Sequence, residues 1–182
     1  MYFDHFYSDP HFGHAKIIEY CERPFMDVNH MADRLIENYN SQVERNETVL
    51  WLGDCFFRHT DGKMANVLDA LNGKKVLVAG NHDRKSCRMA AVGFEFVTKQ
   101  LVWQQEGHTF RGSHYPWRDM MQDERFPNWH PKRNKAEVLV HGHTHDKRKH
   151  AGGNSVHCGV DAWDYYPVSI DDVLLILRKN DQ

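Results

Sequence analysis

Val138-Leu139-Val140-His141-Gly142-His143-Thr144-His145 is the stretch on which the reading of this chain turns. Its aliphatic run reads as a buried strand, and it empties into two histidines two residues apart. At a strand end such a pair can point the same way. Four other places repeat the pattern. Phe6-Tyr7-Ser8 leads into Asp9-Pro10-His11, and Val49-Leu50-Trp51-Leu52 leads into Gly53-Asp54. Val76-Leu77-Val78-Ala79 leads into Gly80-Asn81-His82-Asp83, and Thr109-Phe110-Arg111 leads into Gly112-Ser113-His114. Ligands of open α/β sheets bind beyond the carboxyl ends of the strands. Five strands that end in Asp, Asn and His therefore predict one pooled site at one sheet edge. The donors suffice for two metal ions and point to a hydrolytic metalloenzyme.

The rest of the chain is compatible with that reading. Its 182 residues suit one domain with a proper core. The net charge of −2 indicates no broad basic surface, so duplex nucleic acid is an unlikely partner. The basic runs Lys132-Arg133-Asn134-Lys135 and Lys147-Arg148-Lys149 read as solvated loops. Cys21, Cys55, Cys87 and Cys158 form no C-x-x-C pair, which argues against a cysteine zinc site and fits a reduced, cytoplasmic setting. No apolar run approaches the roughly 20 residues that span a membrane, so no membrane partner is expected.

Periodicity supplies the other elements. Strands are predicted over residues 2–8, 48–52, 75–79, 94–97, 101–105, 108–111, 137–140 and 155–160. Glu106-Gly107 reads as a hairpin turn. Met31, Leu35, Tyr39 and Val43 recur every four residues, which predicts a helix over 30–43 capped by Asn29. Shorter helices are expected over 15–21, around Met64 to Leu71 with Asn72-Gly73 as its stop, over 84–91, and after Ser169-Ile170-Asp171-Asp172. β followed by helices and then more β predicts an α/β fold with packed sheets. Periodicity is absent from Tyr115 to Asn134, so 115–135 is an irregular insertion and a candidate substrate cap.

A carboxylate, an amide and neutral imidazoles suit divalent Mn, Fe, Ni or Zn. Asp54, on a turn softened by Gly53, is the natural bridge between two cations. The order D-x-H, G-D, G-N-H-D, a lone H and then G-H-T-H resembles the calcineurin-like metallophosphoesterases. It is similar in particular to small, compact members whose first motif reads S-D-x-H-F-G-H, as Ser8 to His14 does here. The resemblance spans Asp9 to about Pro167. It implies a four-layer α-β-β-α sandwich of two mixed sheets flanked by helices, and a single metallophosphoesterase domain over 1–182.

The resemblance also implies two divalent cations per chain, with manganese among the candidates. Asp9, His11 and His145 hold the first, Asn81, His114 and His143 hold the second, and Asp54 bridges them. It implies attack by a hydroxide between the metals on a phosphodiester or phosphomonoester, with diesters favoured. His82 is then the general acid beside the phosphate. Arg58 matches a phosphate-contacting arginine of some relatives, and Arg84 and His14 are further phosphate candidates. Those relatives carry an acidic residue before that arginine to orient the catalytic histidine, whereas this chain has Phe57. Asp83 and Asp61 are the candidates to replace it.

Several residues stay open at this point. His14 is as readily structural as site-facing. Alternation turns His141 toward the side of His143, where a supporting role is favoured over ligation. His5, His30, His59, His108, His130, His150 and His157 show no partner pattern. Asp161 and Asp164 brace either the sheet or the site. Tyr115, Trp117, Arg118, Trp129 and Arg133 read as a packed loop ahead of a base-stacking cap. The expected substrate is a small phosphoester or nucleotide-like molecule. The competing readings are a non-enzymatic scaffold for protein interactions and a nuclease acting on single-stranded ends.

Overall fold

Alternation along the strands decides which side chains enter which layer. In the computed structural model, which describes residues 1–120 and 128–180, β1 (His5–Tyr7), β2 (Thr48–Trp51) and β3 (Lys74–Val78) run parallel. Tyr7 lies opposite Trp51, and Trp51 opposite Leu77. β4 (Phe96–Thr98) extends this sheet in parallel beyond β3, and β9 (Val168–Ser169) pairs antiparallel with β1. The second sheet contains β5 (Gln100–Gln105), β6 (His108–Ser113), β7 (Glu137–His141) and β8 (Ser155–His157). Its first pair is antiparallel and the others are parallel. Glu106 and Gly107, with φ of 50° and 74°, make the tight turn that joins β5 to β6.

Odd and even positions of the first sheet feed two cores. Tyr7, Val49, Trp51 and Leu77 pack outward on α1 (Ala15–Tyr20), α2 (Val28–Gln42), α3 (Asp61–Ala70) and α4 (Ser86–Ala91), through Ile17, Met31, Leu35, Leu68 and Met89. Phe6, Leu50, Val76 and Val78 face the second sheet, meeting Trp103, Phe110, Val138 and Val156. α5 (Ile170–Asn180) adds Val173, Leu174 and Leu177 to that inner core. The fold is the expected α/β sandwich of two mixed sheets flanked by helices. Among the described residues, no helix is long and apolar enough to cross a membrane.

Two helix starts separate expectation from outcome. α2 begins at Val28, and its cap is Asp27 rather than Asn29. The Asp27 carboxylate accepts from the Asn29 and His30 amides at 2.8 and 2.9 Å. An extended Asp just outside the first turn reaches the free amides, whereas Asn29 already lies within the helix. At α5 the expected start holds, since Ser169 Oγ accepts from the Asp172 amide and donates to its carboxylate.

One polar clamp ties the two sheets together. Gln105 of β5, buried at 6%, donates to the Phe3 carbonyl and accepts from the Phe3 and Trp103 N–H groups, at 2.9, 3.0 and 3.1 Å. Gln105→Leu leaves three buried polar groups without partners. It should lower the unfolding free energy by about 3 kcal/mol in urea titrations with an unchanged slope. A loss under roughly 0.5 kcal/mol would show that this clamp contributes little.

Candidate metal centre

Parallel pairing brings the carboxyl ends of β1, β2 and β3 to one edge, and those of β6 and β7 to one edge of the second sheet. The loops beyond them are laced by backbone bonds. Asp9 N donates to Gly53 O, His11 N to Asp54 O, and Gly142 N to His114 O, at 3.1, 3.2 and 3.1 Å. The two sheets join where the His143 amide donates to Asp9 Oδ2 at 2.9 Å. That approach requires glycine at 142. A β-carbon there would lie 2.0 Å from Ser8 Oγ and 2.1 Å from Asp9 Oδ2. Gly53 is equally confined, with φ at 95° and its missing β-carbon aimed at the Gly80 backbone and His114.

All seven expected ligands converge here. The donor atoms of Asp9, His11 and His145 lie within 4.8 Å of one another, as do those of Asp9, Asp54 and His114. Asp54 Oδ2 is 3.6 Å from His11 Nε2 and 3.5 Å from His114 Nε2, which places its carboxylate between the two groups. His114 Nε2 is 3.2 Å from Asn81 Oδ1 and 3.1 Å from His143 Nδ1. Asp9, His11, Asp54 and His114 are almost completely buried.

Two features of the set fit cations. Asp9 Oδ1 and both His11 ring nitrogens are buried without a hydrogen-bond partner among the described residues. Polar groups in that condition are costly unless something else satisfies them. Five of the seven residues also adopt left-handed backbone conformations: Asp9, His11, Asp54, His143 and His145, with φ of 58°, 51°, 53°, 72° and 52°. Each costs of order 1–3 kcal/mol and clusters where a site over-determines the backbone.

The outer hydrogen bonds fix which nitrogen each ring presents. His114 Nδ1–H donates to Leu52 O at 2.7 Å, so Nε2 faces the centre. His145 Nδ1–H donates to Asp161 Oδ2 at 2.8 Å, again freeing Nε2. Asp161 is in turn gripped by Arg23, whose Nε and Nη2 reach its two oxygens at 2.8 and 2.9 Å. The same guanidinium donates to the carbonyls of Asp9 and Pro10. Asp161 thus braces the site and Arg23 braces Asp161. The sequence left Asp161 between bracing the sheet and bracing the site, and gave no sign of the part played by Arg23. Cys21, His145 and Asp161 form a further group with donor atoms in reach of one another, and it shares His145 with the centre.

No family model matches the sequence. The uncharacterized protein MJ1445 of Methanocaldococcus jannaschii is 33% identical over 184 aligned positions, covering 94% of this chain and 89% of that protein. The gene 66 protein of mycobacterium phage D29 is 30% identical over 182 positions, covering 87% of each. The chain belongs to the family of MJ1445 and the D29 gene 66 protein. The gene 66 protein of mycobacterium phage L5 is 29% identical, covering 87% of this chain and 86% of that protein. A solved structure, the protein of unknown function AQ665 from Aquifex aeolicus, shares the fold at a TM-score of 0.75 and 24% identity. It covers 94% of this chain and 97% of its own.

In this family member the residues around the ligands sort differently from expectation. His82 is exposed at the rim, its Nε2 3.9 Å from Asp54 Oδ2, and its amide donates to Asp54 Oδ1 at 2.9 Å. Neither expected acid orients it. Asp83 spends both oxygens on the amides of Gly80, Asp54 and Cys55, at 2.8 to 2.9 Å, and Asp61 faces Arg88. Rings hold His82 instead, with Phe57 edge-on at 5.7 Å and His11 at 5.4 Å. His14 stacks on Phe57 at 3.9 Å and so faces the rim. Arg58 and Arg84 line a cleft of about 290 Å³ with Asn81 and His82. His141 is not among the grouped donors; it is fully buried 5.4 Å from the His157 ring, its Nδ1 donating to Gly142 O.

Tyr115 and Trp117 are buried, and the Tyr115 ring lies 4.6 Å from that of His143, so this part of the insertion is a wall of the centre. Arg118 opens a short 3-10 turn (Arg118–Met120), Arg133 pairs with Asp119, and Trp129 is 39% exposed with Lys99 over its ring. Residues 121–127 of the expected cap lie outside the described residues.

Burial drives the His11 imidazole well below its ordinary pKa, against the pull of Asp9, and takes His143 down to about 3 with help from His114. Neutral rings are the ligating form. Burial also lowers His145, but the hydrogen bonds to Asp161 and Cys21 and the charges of Asp9 and Asp161 outweigh it, and its pKa is pushed up to about 10. The His145–Asp161 pair therefore contributes fully to apo-protein stability below the ordinary value of 6.5 and is lost as pH rises through about 10. A cation at His145 must displace that proton, so apparent metal affinity should rise with pH across the neutral range. Asp161→Asn should weaken binding by about 10- to 100-fold and move the rise toward lower pH, read by calorimetric titration. An affinity independent of both pH and Asp161 would contradict this arrangement.

Proposed function

We propose that the chain is a metal-dependent phosphoester hydrolase that holds two divalent cations at Asp9, His11, Asp54, Asn81, His114, His143 and His145. One observation carries the reading. Two triads of protein donors, Asp9–His11–His145 and Asp9–Asp54–His114, share the buried Asp9, and Asp54 lies between His11 and His114, with orphaned polar atoms and left-handed backbones at these positions. The order of the same residues along the chain resembles the calcineurin-like metallophosphoesterases. When bound, such cations supply Lewis acidity and a water acidified toward neutral pH. Manganese, iron, nickel or zinc all suit the donor set.

The remaining work falls to the chain itself. His82 is the exposed titratable ring at the rim, 40% accessible in its side chain and next to the Asp54 carboxylate. Its Nε2 is placed to hold a proton and pass it to the leaving oxygen. The ring walls of Phe57, His11 and His14 restrict its rotation. Arg58 and Arg84 place positive charge beside it, where an ester phosphate carries its non-bridging oxygens. Tyr115, its ring 4.6 Å from that of His143, walls the centre on the His114–His143 side.

Two assays test this. Protein saturated with manganese should hydrolyse nitrophenyl phosphodiesters, with monoesters slower, and lose activity on chelation. A protein that binds manganese and hydrolyses no ester would sink the reading in favour of a non-enzymatic scaffold. His82→Ala should cost about 10²- to 10⁴-fold on alkyl or nucleoside esters and far less on nitrophenyl esters, whose leaving groups need little protonation. Equal losses on both would remove the proton-donor role.

A further inference from the structure

Phe57 and Arg58 stand where three surface clefts meet. The first, of about 290 Å³, contains Arg84, Asn81 and His82 and opens on the centre. The second, of about 440 Å³, contains His14, Lys16 and Tyr20, and the third, of about 390 Å³, contains Asn29, Lys63 and Asn66. Lys16, Arg58, Lys63 and Arg84 are all exposed. The only carboxylate among the lining residues is Asp83, already saturated by three backbone amides. Elsewhere Arg34, Arg88, Arg111, Arg133 and Arg148 each face a carboxylate. Arg84 instead donates to the His59 carbonyl, and Arg58 lies 5.2 Å from the Phe57 ring. Lys16, Arg58, Lys63 and Arg84 thus line one path leading away from the centre that carries no carboxylate facing them.

A lone phosphoester fills only the first cleft and leaves Lys16 and Lys63 without a role. A chain of phosphates uses all four cations. The second cleft also holds Tyr20, an aromatic ring 67% exposed beside Lys16 and His14. An exposed ring among cations offers a stacking face that an unpaired base can reach and a duplex base cannot.

Resting on the phosphoesterase reading, we infer that the substrate is single-stranded nucleic acid. Its scissile phosphate lies in the Arg58–Arg84 cleft, and neighbouring nucleotides run over Lys16, Lys63 and Tyr20. Hydrolysis adds one water across the phosphodiester. Water oxygen bonds to phosphorus, the bond to the leaving nucleoside oxygen breaks, and that oxygen takes its proton from His82. The step needs no other co-reactant.

The test uses manganese-loaded protein and a fluorescent octathymidylate, read by anisotropy and by cleavage, with bis(4-nitrophenyl) phosphate as the small diester. Lys16→Ala/Lys63→Ala should lower kcat/KM at least about tenfold more on the oligonucleotide than on the small diester. It should also flatten the logarithmic salt dependence of binding by about 1.4, as expected for two lost phosphate contacts on a single strand. Tyr20→Ala should weaken oligonucleotide binding at least about fivefold and leave inorganic polyphosphate binding unaltered. Arg178→Ala/Lys179→Ala, on α5, controls for loss of charge in general. Equal losses on both substrates, or tighter binding of duplex or polyphosphate, would overturn the inference while small-diester hydrolysis kept the phosphoesterase reading intact. Octathymidylate binding without hydrolysis of any ester would instead overturn the phosphoesterase reading and support the surface.

Discussion

Two buried carboxylates, Asp9 and Asp54, have oxygens within 4.8 Å of each other in a pocket otherwise built from imidazoles. Burial raises the pKa of Asp54, and the charges of Asp9 and Asp83 push the same way, against the pull of His114. Two like charges out of water repel each other and lose hydration, and the protonated His145 beside Asp9 offsets only part of that. Divalent cations held between them would remove both penalties at once. The backbone has been arranged around this arrangement: left-handed turns at five ligand positions, and a glycine at 142 where no side chain fits. Because the His143 amide bonds Asp9 across the two sheets, the same carboxylate that would hold metal also fixes how the sheets meet.

The fold and the convergence of the seven candidate residues were legible in the sequence for a physical reason. A buried strand needs a continuous apolar run, and a metal site needs Asp, Asn or His, so both leave marks within a few residues of each other. Val76 to Asn81 and Val138 to His143 carry strand and ligand together. What the sequence did not disclose depends on contacts between distant segments. Asp161 matters because β8 and the turn after it bring it to His145, 16 residues away, and to Arg23, 138 residues away. Asp83 stands next to His82 in the chain, yet serves the amides of Gly80, Asp54 and Cys55. Asp27 displaced Asn29 as a helix cap because one extended residue of difference decides which side chain reaches the free amides.

On the proposed reading, the rim carries substrate preference apart from the metal centre. The candidate ligands follow strand ends, whereas Lys16, Phe57, Arg58, Lys63 and Arg84 project from helices and loops. Phe57 has a distinct consequence. An aromatic edge, rather than a carboxylate, holds the position of His82. The insertion after His114 contributes a wall, Tyr115 against His143, so the cationic path lies on the side of α1 and α3.

The proposed arrangement has seven residues holding two cations through a shared Asp54. Anomalous diffraction from manganese-saturated crystals tests it most directly. The account predicts two peaks, one among Asp9, His11 and His145 and one among Asn81, His114 and His143, with the Asp54 carboxylate touching both. A single peak, or a peak held by Cys21, His145 and Asp161 in its place, would contradict it.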